Sequence, residues 1–111
     1  MEITERRSAS NVVTLSLAGR LDTTTARSFE EKILDAIDSG DRKFVIDLSQ
    51  LEYISSSGLR VFLLAAKRLS SLHGRIVLCS LKPHIRQVFD LAGFSSILSI
   101  YAARDEALES F

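Results

Sequence analysis

The first part of the chain alternates between apolar and polar residues with a period of two. At residues 12–18 three aliphatic side chains fall on one side of this alternation, namely Val13, Leu15 and Leu17. Two hydroxyl side chains, Thr14 and Ser16, fall on the other side. Because successive side chains of a strand point to opposite faces, this segment is predicted to be a strand with one buried side. Residues 1–7 alternate more weakly and are predicted to form an edge strand. A polar turn at residues 8–11 would join the two strands as a hairpin.

The next segment changes to helical spacing. Its apolar residues recur every three or four positions and would form one buried face: Ala26, Phe29, Ile33, Ala36 and Ile37. Residues 19–24 are expected to be a loop in which Thr23 or Thr24 caps this helix, and Gly40 would end it. The short apolar run Phe44–Asp47 follows and is typical of a strand buried on both faces.

The second half of the chain continues this alternation of helices and strands. The predicted elements are a helix from about Ser57 to Gly74, a strand at 75–80, a helix from Pro83 to Gly93, a strand at 97–101 and a last helix at 103–111. A helix between two strands allows a crossover and therefore some parallel pairing. The sequence thus predicts one α/β domain spanning residues 1–111, with a mixed sheet and the order β-β-α-β-α-β-α-β-α.

Composition excludes several functions. The 111 residues include 14 basic and 14 acidic side chains, so the formal net charge is zero. This balance lacks the basic excess expected of nucleic-acid binding or of a polybasic membrane-binding patch. Residues 1–7 have no apolar signal-peptide core, and no run approaches the roughly 18 apolar residues of a membrane span. We therefore expect a cytoplasmic protein that binds no nucleic acid and does not insert into membranes.

The residues that could support catalysis or metal binding are few. A single cysteine, Cys79, cannot form an intramolecular disulfide, which favours a reducing compartment. Two separated histidines, His73 and His84, do not form a metal site. The chain has neither a G-x-S-x-G elbow nor a G-x-x-x-x-G-K phosphate-binding loop. We therefore expect a binding protein rather than an enzyme, with no metal and no cofactor.

A cluster of three serines, Ser55-Ser56-Ser57, precedes Gly58 at the predicted start of the central helix. Serine is common at this position because its hydroxyl accepts a hydrogen bond from an exposed backbone N–H group, so spacing alone favours a capping role. The alternative is a phosphoacceptor. The N-terminus of a helix tolerates the roughly −1.5 to −2 charges of a phosphate, so such a site could change its surface charge without unfolding.

Short motifs run through nearly the whole chain: Gly19-Arg20-Leu21-Asp22, Asp47-Leu48-Ser49, Leu51, Tyr53-Ile54, Ser56-Ser57-Gly58-Leu59, Leu81-Lys82-Pro83, Val88 to Phe94, Tyr101 and Glu106-Ala107-Leu108. Those around the serine cluster resemble the core motif of STAS domains. Within that family the chain resembles most the stand-alone anti-sigma factor antagonists of bacteria. The resemblance implies an α/β STAS fold and a role in transcription regulation by partner switching.

The resemblance also implies roles for individual residues. Ser57 matches the phosphorylated serine of the family, Ser56 would then be the helix cap, and Asp22 matches an acidic position near the same site. Ser55 departs from the family, which commonly has an aspartate there, and could be a second phosphoacceptor. Unphosphorylated, the protein would bind an anti-sigma factor that is also a serine kinase. Phosphorylation of Ser57 would end this binding, and a serine phosphatase would restore it.

The central helix suggests where a partner could dock. The residues predicted to face the core are Leu59, Phe62, Leu63, Ala66 and Leu69. The residues predicted to lie on the outer face are Arg60, Lys67, Arg68 and Ser71. Leu64 falls among the outer polar residues and, with Arg60 and Ser57, would form a small docking surface; alternatively Leu64 packs under a loop. A second interpretation of the whole chain is a STAS subunit of a membrane transporter complex or larger signalling assembly, without regulated phosphorylation.

Overall fold

The computed structural model describes residues 1–8 and 10–111, which form five strands and four α-helices. They are β1 (Glu2–Arg7), β2 (Val12–Leu21), α1 (Thr23–Asp38), β3 (Lys43–Ile54), α2 (Ser56–Ser71), β4 (Arg75–Cys79), α3 (Pro83–Leu91), β5 (Ser99–Tyr101) and α4 (Arg104–Glu109), with a 3₁₀ turn at Phe94–Ser96 before β5. The predicted α/β fold and element order are confirmed. Of the turn predicted at residues 8–11, Ala9 lies outside the described residues.

The strands form one mixed sheet in the order β1-β2-β3-β4-β5. β1 is an edge strand and pairs with β2 antiparallel, which confirms the predicted hairpin. The other three pairs, β2–β3, β3–β4 and β4–β5, are parallel. Each parallel pair is joined by a segment that contains a helix, which gives the crossover that parallel pairing requires. The carboxyl ends of β2 and β3 therefore lie at the same edge of the sheet.

Apolar side chains cover both faces of the sheet. Phe44 and Ile46 of β3 belong to the main core, to which α1, α2 and α3 contribute their buried faces. Val45, between them, belongs to a smaller cluster on the other face, together with Cys79 and Ala107 of α4. This alternation explains why residues 44–46 of β3 are apolar without interruption, as predicted. Cys79 is fully buried and forms no disulfide with the described residues.

Four phenylalanines join the helices within the main core. The ring of Phe62 on α2 lies 5.1 Å from that of Phe29 on α1 and 5.4 Å from that of Phe89 on α3, measured between centroids. Phe94 of the 3₁₀ turn packs edge-on against Phe89 at 6.0 Å. Tilted and edge-on contacts at these separations stabilise beyond simple burial of area. They hold the start of α2 at a defined position relative to α1.

Three predicted boundaries are wrong. β2 continues to Leu21, although a loop was predicted from Gly19, and β3 continues from Asp47 to Ile54. The two strands stay paired through this region, with register shifts near Ala18 and Gly19. Such irregularities interrupt the period-two pattern, so alternation alone does not reveal the extension. β5 begins at Ser99 rather than Ile97, because the 3₁₀ turn occupies the preceding residues.

The predicted core face of α2 is partly wrong. Phe62 and Leu69 are fully buried, but Leu63 is only partly buried. The remaining fully buried positions of α2 carry smaller residues: Gly58, Val61 and Ala65. Leu59 and Ala66, the other predicted core residues, are partly buried and pack against the core. The outer positions Arg60, Lys67, Arg68 and Ser71 are exposed, as predicted.

Candidate functional site

The candidate site lies where β2 and β3 end side by side. Leu21 and Ile54, the last residues of these strands, are partners in the sheet register. The next residue in each chain segment begins a helix: Asp22 is the N-cap of α1 and Ser55 is the N-cap of α2. The backbone N–H of Ser55 donates to the carbonyl of Leu21 at 2.9 Å, so the pairing extends to the helix start. The two helices therefore begin next to each other.

Ser55 is the residue that caps α2. Its backbone is extended, with φ −94° and ψ 172°, and its hydroxyl accepts a hydrogen bond from the N–H of Gly58 at 3.2 Å. The prediction that Ser56 is the cap is wrong. Because β3 extends to Ile54, the first residue after the strand takes the cap position and Ser56 becomes an exposed residue of the first turn. A serine in place of the expected aspartate still supplies a good cap.

Gly58 sets the distance between α2 and the strand ends. A Cβ atom at this position would lie 2.8 Å from Cγ of Leu21 and 3.0 Å from Cγ1 of Ile54. Real Cβ atoms essentially never show a contact as short as 2.8 Å, so the Leu21 side chain would have to shift to admit any residue larger than glycine. Ser57, the preceding residue, is partly buried and lines a groove between α1 and α2.

This groove has a volume of about 460 Å³ and lies between the N-terminal turns of α1 and α2. Its lining residues are Thr23, Ala26, Arg27, Glu30, Glu31, Ser57 and Arg60. Across it, Nη2 of Arg60 lies 2.9 Å from Oε1 of Glu30. Two cationic and two anionic side chains line the groove, so its formal charge is balanced. The structure thus brings together the predicted site residues Ser57 and Arg60.

Asp22 caps α1 through a reciprocal pair of hydrogen bonds. One oxygen of its carboxylate accepts from the N–H groups of Thr24 and Thr25, each at 3.0 Å. In return, the N–H of Asp22 donates to the hydroxyl of Thr25 at 2.9 Å. Donation by the Thr25 N–H is the main cause that lowers the pKa of Asp22 below its ordinary value. The prediction that Thr23 or Thr24 caps α1 is therefore wrong, although aspartate is among the best caps and could have been chosen.

The STAS domain family matches residues 4–107 of this chain. The chain belongs to the STAS domain family. BtrV of Bordetella bronchiseptica, named as an anti-sigma factor antagonist, is 44% identical over 95 residues, which cover 86% of this chain and 82% of BtrV. An anti-sigma F factor antagonist of Paenibacillus polymyxa is 29% identical over 98 residues, which cover 87% of this chain and 84% of the relative.

The fold of this STAS domain is also similar to that of solved structures. A crystal structure of a Thermotoga maritima protein, named as an anti-sigma factor antagonist, superposes with a TM-score of 0.92 at 28% identity. The match covers 97% of this chain and 92% of the other. The resemblance inferred from the motif around Ser57 is therefore confirmed at the level of family, relatives and fold.

Leu64 occupies a different place in the STAS domain from Ser57 and Arg60. It is partly buried and lies one turn beyond Arg60 on α2, outside the set of residues that line the groove. Beyond it, Nη1 of Arg68 pairs with Oδ1 of Asp38 on α1 at 3.4 Å. Leu64 therefore lies between two ion pairs that join α2 to α1. It could contact only a partner that covers more than the groove.

Sequence reasoning missed a contact beside the site, between Arg20 of β2 and Tyr53 of β3. The guanidinium carbon of Arg20 lies 4.2 Å from the ring centroid of Tyr53, and the two residues are register partners just before the caps. Tyr53 remains 40% exposed, which is high for an aromatic side chain. Its signal in the sequence was an aromatic residue two positions before the serine cluster. The extension of both strands, which places Arg20 opposite it, was not predicted.

The described residues contain no cluster that suggests metal chemistry. Across residues 1–8 and 10–111, no group of three or more His, Cys, Asp or Glu side chains is arranged to hold a metal ion. In the same part of the chain, none of the helices has the length and apolar character needed to cross a membrane.

Proposed function

We propose that this STAS domain protein is an anti-sigma factor antagonist that acts by partner switching, with Ser57 as its phosphoacceptor. The observation that supports this proposal is the division of roles within the serine cluster. Ser55 takes the capping position and its hydroxyl accepts the Gly58 N–H, whereas Ser57 lies in the groove between α1 and α2. The hydroxyl of Ser57 is therefore available to an incoming kinase without disruption of the helix start.

In the proposed cycle, the unphosphorylated protein binds an anti-sigma factor that is also a serine kinase, and the sigma factor is released. The kinase then transfers the γ-phosphoryl group of ATP to Ser57. A bond forms between Oγ and the γ-phosphorus as the bond to ADP breaks, and the hydroxyl proton passes to a base of the kinase. A serine phosphatase hydrolyses the ester, which restores the hydroxyl and releases inorganic phosphate. Because sigma factors and ATP act in the bacterial cytoplasm, we propose that this cycle takes place there.

The charge of the groove explains why phosphorylation would end binding. Two cations and two anions line the unmodified groove, and a phosphate adds roughly −1.5 to −2 charges near neutral pH. The helix start tolerates this charge because its backbone N–H groups and the helix dipole favour anions. The fold is kept, but the groove becomes negatively charged. A partner surface that is complementary to the charge-balanced groove would no longer fit it. Each 1.4 kcal/mol of resulting penalty weakens binding tenfold.

The departure at Ser55 favours Ser57 as the acceptor. Ser55 and Ser57 are both partly buried, but the hydroxyl and N–H groups of Ser55 are engaged with Gly58 and Leu21 respectively. Modification of the Ser55 hydroxyl would have to displace its hydrogen bond with the Gly58 N–H. Ser57 requires no such displacement, so we propose it as the single regulated serine of the cluster.

The test is affinity capture from lysate of the native host, with wild-type protein, Ser57→Asp and Ser56→Asp as baits and mass spectrometry of the bound proteins. Ser56→Asp is the matched control because it adds the same charge to the same helix turn outside the groove. We expect a serine-kinase ATPase on wild type and Ser56→Asp, and its loss from Ser57→Asp. Equal capture by all three would contradict the proposal. Transporter subunits bound equally by all baits would support the alternative of a transporter-associated STAS domain.

A further inference from the structure

Two ion pairs join α1 to α2, and one of them lies beside Ser57. The pair of Arg60 with Glu30 spans the groove at 2.9 Å. The pair of Arg68 with Asp38 spans the same two helices at 3.4 Å, eight residues farther along each. Eight residues of a helix span about 12 Å, so the second pair is remote from the serine. The two pairs are alike in chemistry but differ in distance from the proposed phosphoacceptor.

Arg60 can reach a phosphate on Ser57 without movement of the backbone. The two residues are three apart on α2, and residues at this spacing are neighbours on a helix surface. The side chain of Arg60 is 63% exposed, so a change of rotamer meets little obstruction. Its guanidinium presents paired N–H donors that match phosphate oxygens in a bidentate arrangement.

A phosphate would compete with Glu30 for this guanidinium. Glu30 offers one negative charge from the opposite helix, whereas the phosphate offers up to two and three acceptor oxygens on the same helix. The new dianion would also repel Glu30 across the groove. We infer that phosphorylation of Ser57 moves Arg60 from Glu30 to the phosphate and so breaks the nearer ion pair between α1 and α2. This inference rests on the proposed role of Ser57.

This exchange of partners by Arg60 would change the charge of α1, although the phosphorylated residue lies on α2. Before modification, Glu30 and Glu31 on α1 are balanced by Arg27 and Arg60. After it, Arg60 neutralises part of the phosphate, and the two glutamates face Arg27 alone. The groove side of α1 therefore becomes acidic although no residue of α1 is modified. A partner that contacts α1 would be repelled as well as one that contacts Ser57.

The test is a pH titration by ³¹P NMR of full-length protein that carries phosphoserine at position 57, incorporated during translation. A guanidinium beside the phosphate lowers the pKa of its second ionisation, because it stabilises the dianion. We expect Arg60→Ala to raise this pKa by about 0.2–0.7 unit, the range that corresponds to an exposed ion pair. Glu30→Gln should lower the pKa, since it removes both the competitor and a neighbouring negative charge.

Arg68→Ala is the matched control and should leave the phosphoserine pKa unchanged. Arg60→Lys keeps the charge but loses the bidentate geometry, so its phosphoserine pKa should lie between those of the wild type and Arg60→Ala. This variant keeps the test valid even if Arg60→Ala perturbs folding. The inference is overturned if Arg60→Ala does not raise the pKa, if Arg68→Ala raises it equally, or if Arg27→Ala alone accounts for the effect. Since no kinase is used, these results do not depend on whether the host modifies Ser57, which affinity capture tests separately.

Discussion

The N–H of Ser55 donates to the carbonyl of Leu21 at 2.9 Å, which ties the first residue after β3 to the last residue of β2. This bond continues the parallel pairing of the two strands by one residue. It fixes the start of α2 next to that of α1, and thereby forms the groove in which Ser57 lies. The position of the candidate phosphoacceptor therefore depends on how tightly α2 packs against the strand ends.

Gly58→Ala tests this packing. A Cβ atom would lie 2.8 Å from Cγ of Leu21, and overpacking of this kind costs about 1–3 kcal/mol. A glycine-to-alanine change in a helix without such a contact would instead stabilise by about 1 kcal/mol. We expect a net decrease in the free energy of unfolding, measured by urea denaturation.

The control for Gly58→Ala is the same change in a Leu21→Ala background. Removal of the leucine side chain takes away the clashing atoms, so Gly58→Ala should then be neutral or stabilising. We expect the two backgrounds to differ by at least about 1 kcal/mol, as is usual for residues in contact. The same cost in both would mean that the Leu21 contact is not the cause.

The cap of α2 gives a second prediction. Ser55→Ala should lower the free energy of unfolding by about 1 kcal/mol, because the Gly58 N–H loses its acceptor. Ser55→Asp should preserve it, since a carboxylate is an equally good cap. Ser56→Ala is the control and should change stability by less than about 0.5 kcal/mol, as is typical of an exposed position. A larger loss for Ser56→Ala than for Ser55→Ala would restore Ser56 as the cap.

Much of the fold was predictable because local patterns determined it. The spacing on α1 reports which side of the helix is buried, and it was interpreted correctly. The alternation in β2 correctly placed Val13, Leu15 and Leu17 in the main core, but the prediction of a single buried side was wrong, because Val12 and Thr14 are buried as well. The serine cluster was correctly placed at a helix start, since Ser55 is the N-cap of α2. Local patterns are sufficient here because each depends on residues close in sequence.

The features that sequence reasoning missed depend on residues far apart in the chain. The extension of β3 to Ile54 is stabilised by pairing with β2, which the register shifts hide from a periodicity count. The error at Ser56 followed from that boundary. The ion pair of Arg60 with Glu30 joins residues 30 positions apart, and nothing in the sequence around either residue indicates it.

The cap of α1 predicts a dependence of stability on pH. The pKa of Asp22 is lowered in the folded state from its ordinary value of 3.8, chiefly because the Thr25 N–H donates to the carboxylate. A depressed pKa means that the folded state favours the ionised form. The stabilisation is therefore fully present above the unfolded pKa and is lost as the pH falls through the folded pKa.

Asp22→Asn checks this by urea denaturation at a series of pH values between about 6 and 2, a range that brackets ordinary aspartate ionisation. Asparagine can still cap, but its side chain does not ionise. We expect the wild type to be more stable at pH 6 and the difference to close as the pH falls. Asp22→Ser, another uncharged cap, should behave like Asp22→Asn. A difference from wild type that stays constant over the whole range would exclude ionisation of Asp22 as its source.

Leu64→Glu tests how far the docking surface extends along α2. Leu64 is partly buried and lies outside the groove, between the two ion pairs. If the partner covers this part of α2, burial of the new carboxylate against it would weaken binding at least tenfold, or about 1.4 kcal/mol. Stability of the isolated protein should fall by less than about 1 kcal/mol, in contrast to the 2–5 kcal/mol expected for Leu69→Ala in the core.

Two comparisons decide between docking and packing at Leu64. Ser71→Glu adds the same charge to an exposed position two turns farther along α2 and should leave partner affinity unchanged. Calorimetry of the wild type and both variants with the purified partner gives the affinities, and thermal unfolding gives the stabilities. If Leu64→Glu lowers the melting temperature as much as Leu69→Ala, then Leu64 belongs to the core. In that case the surface around Ser57 ends at Arg60.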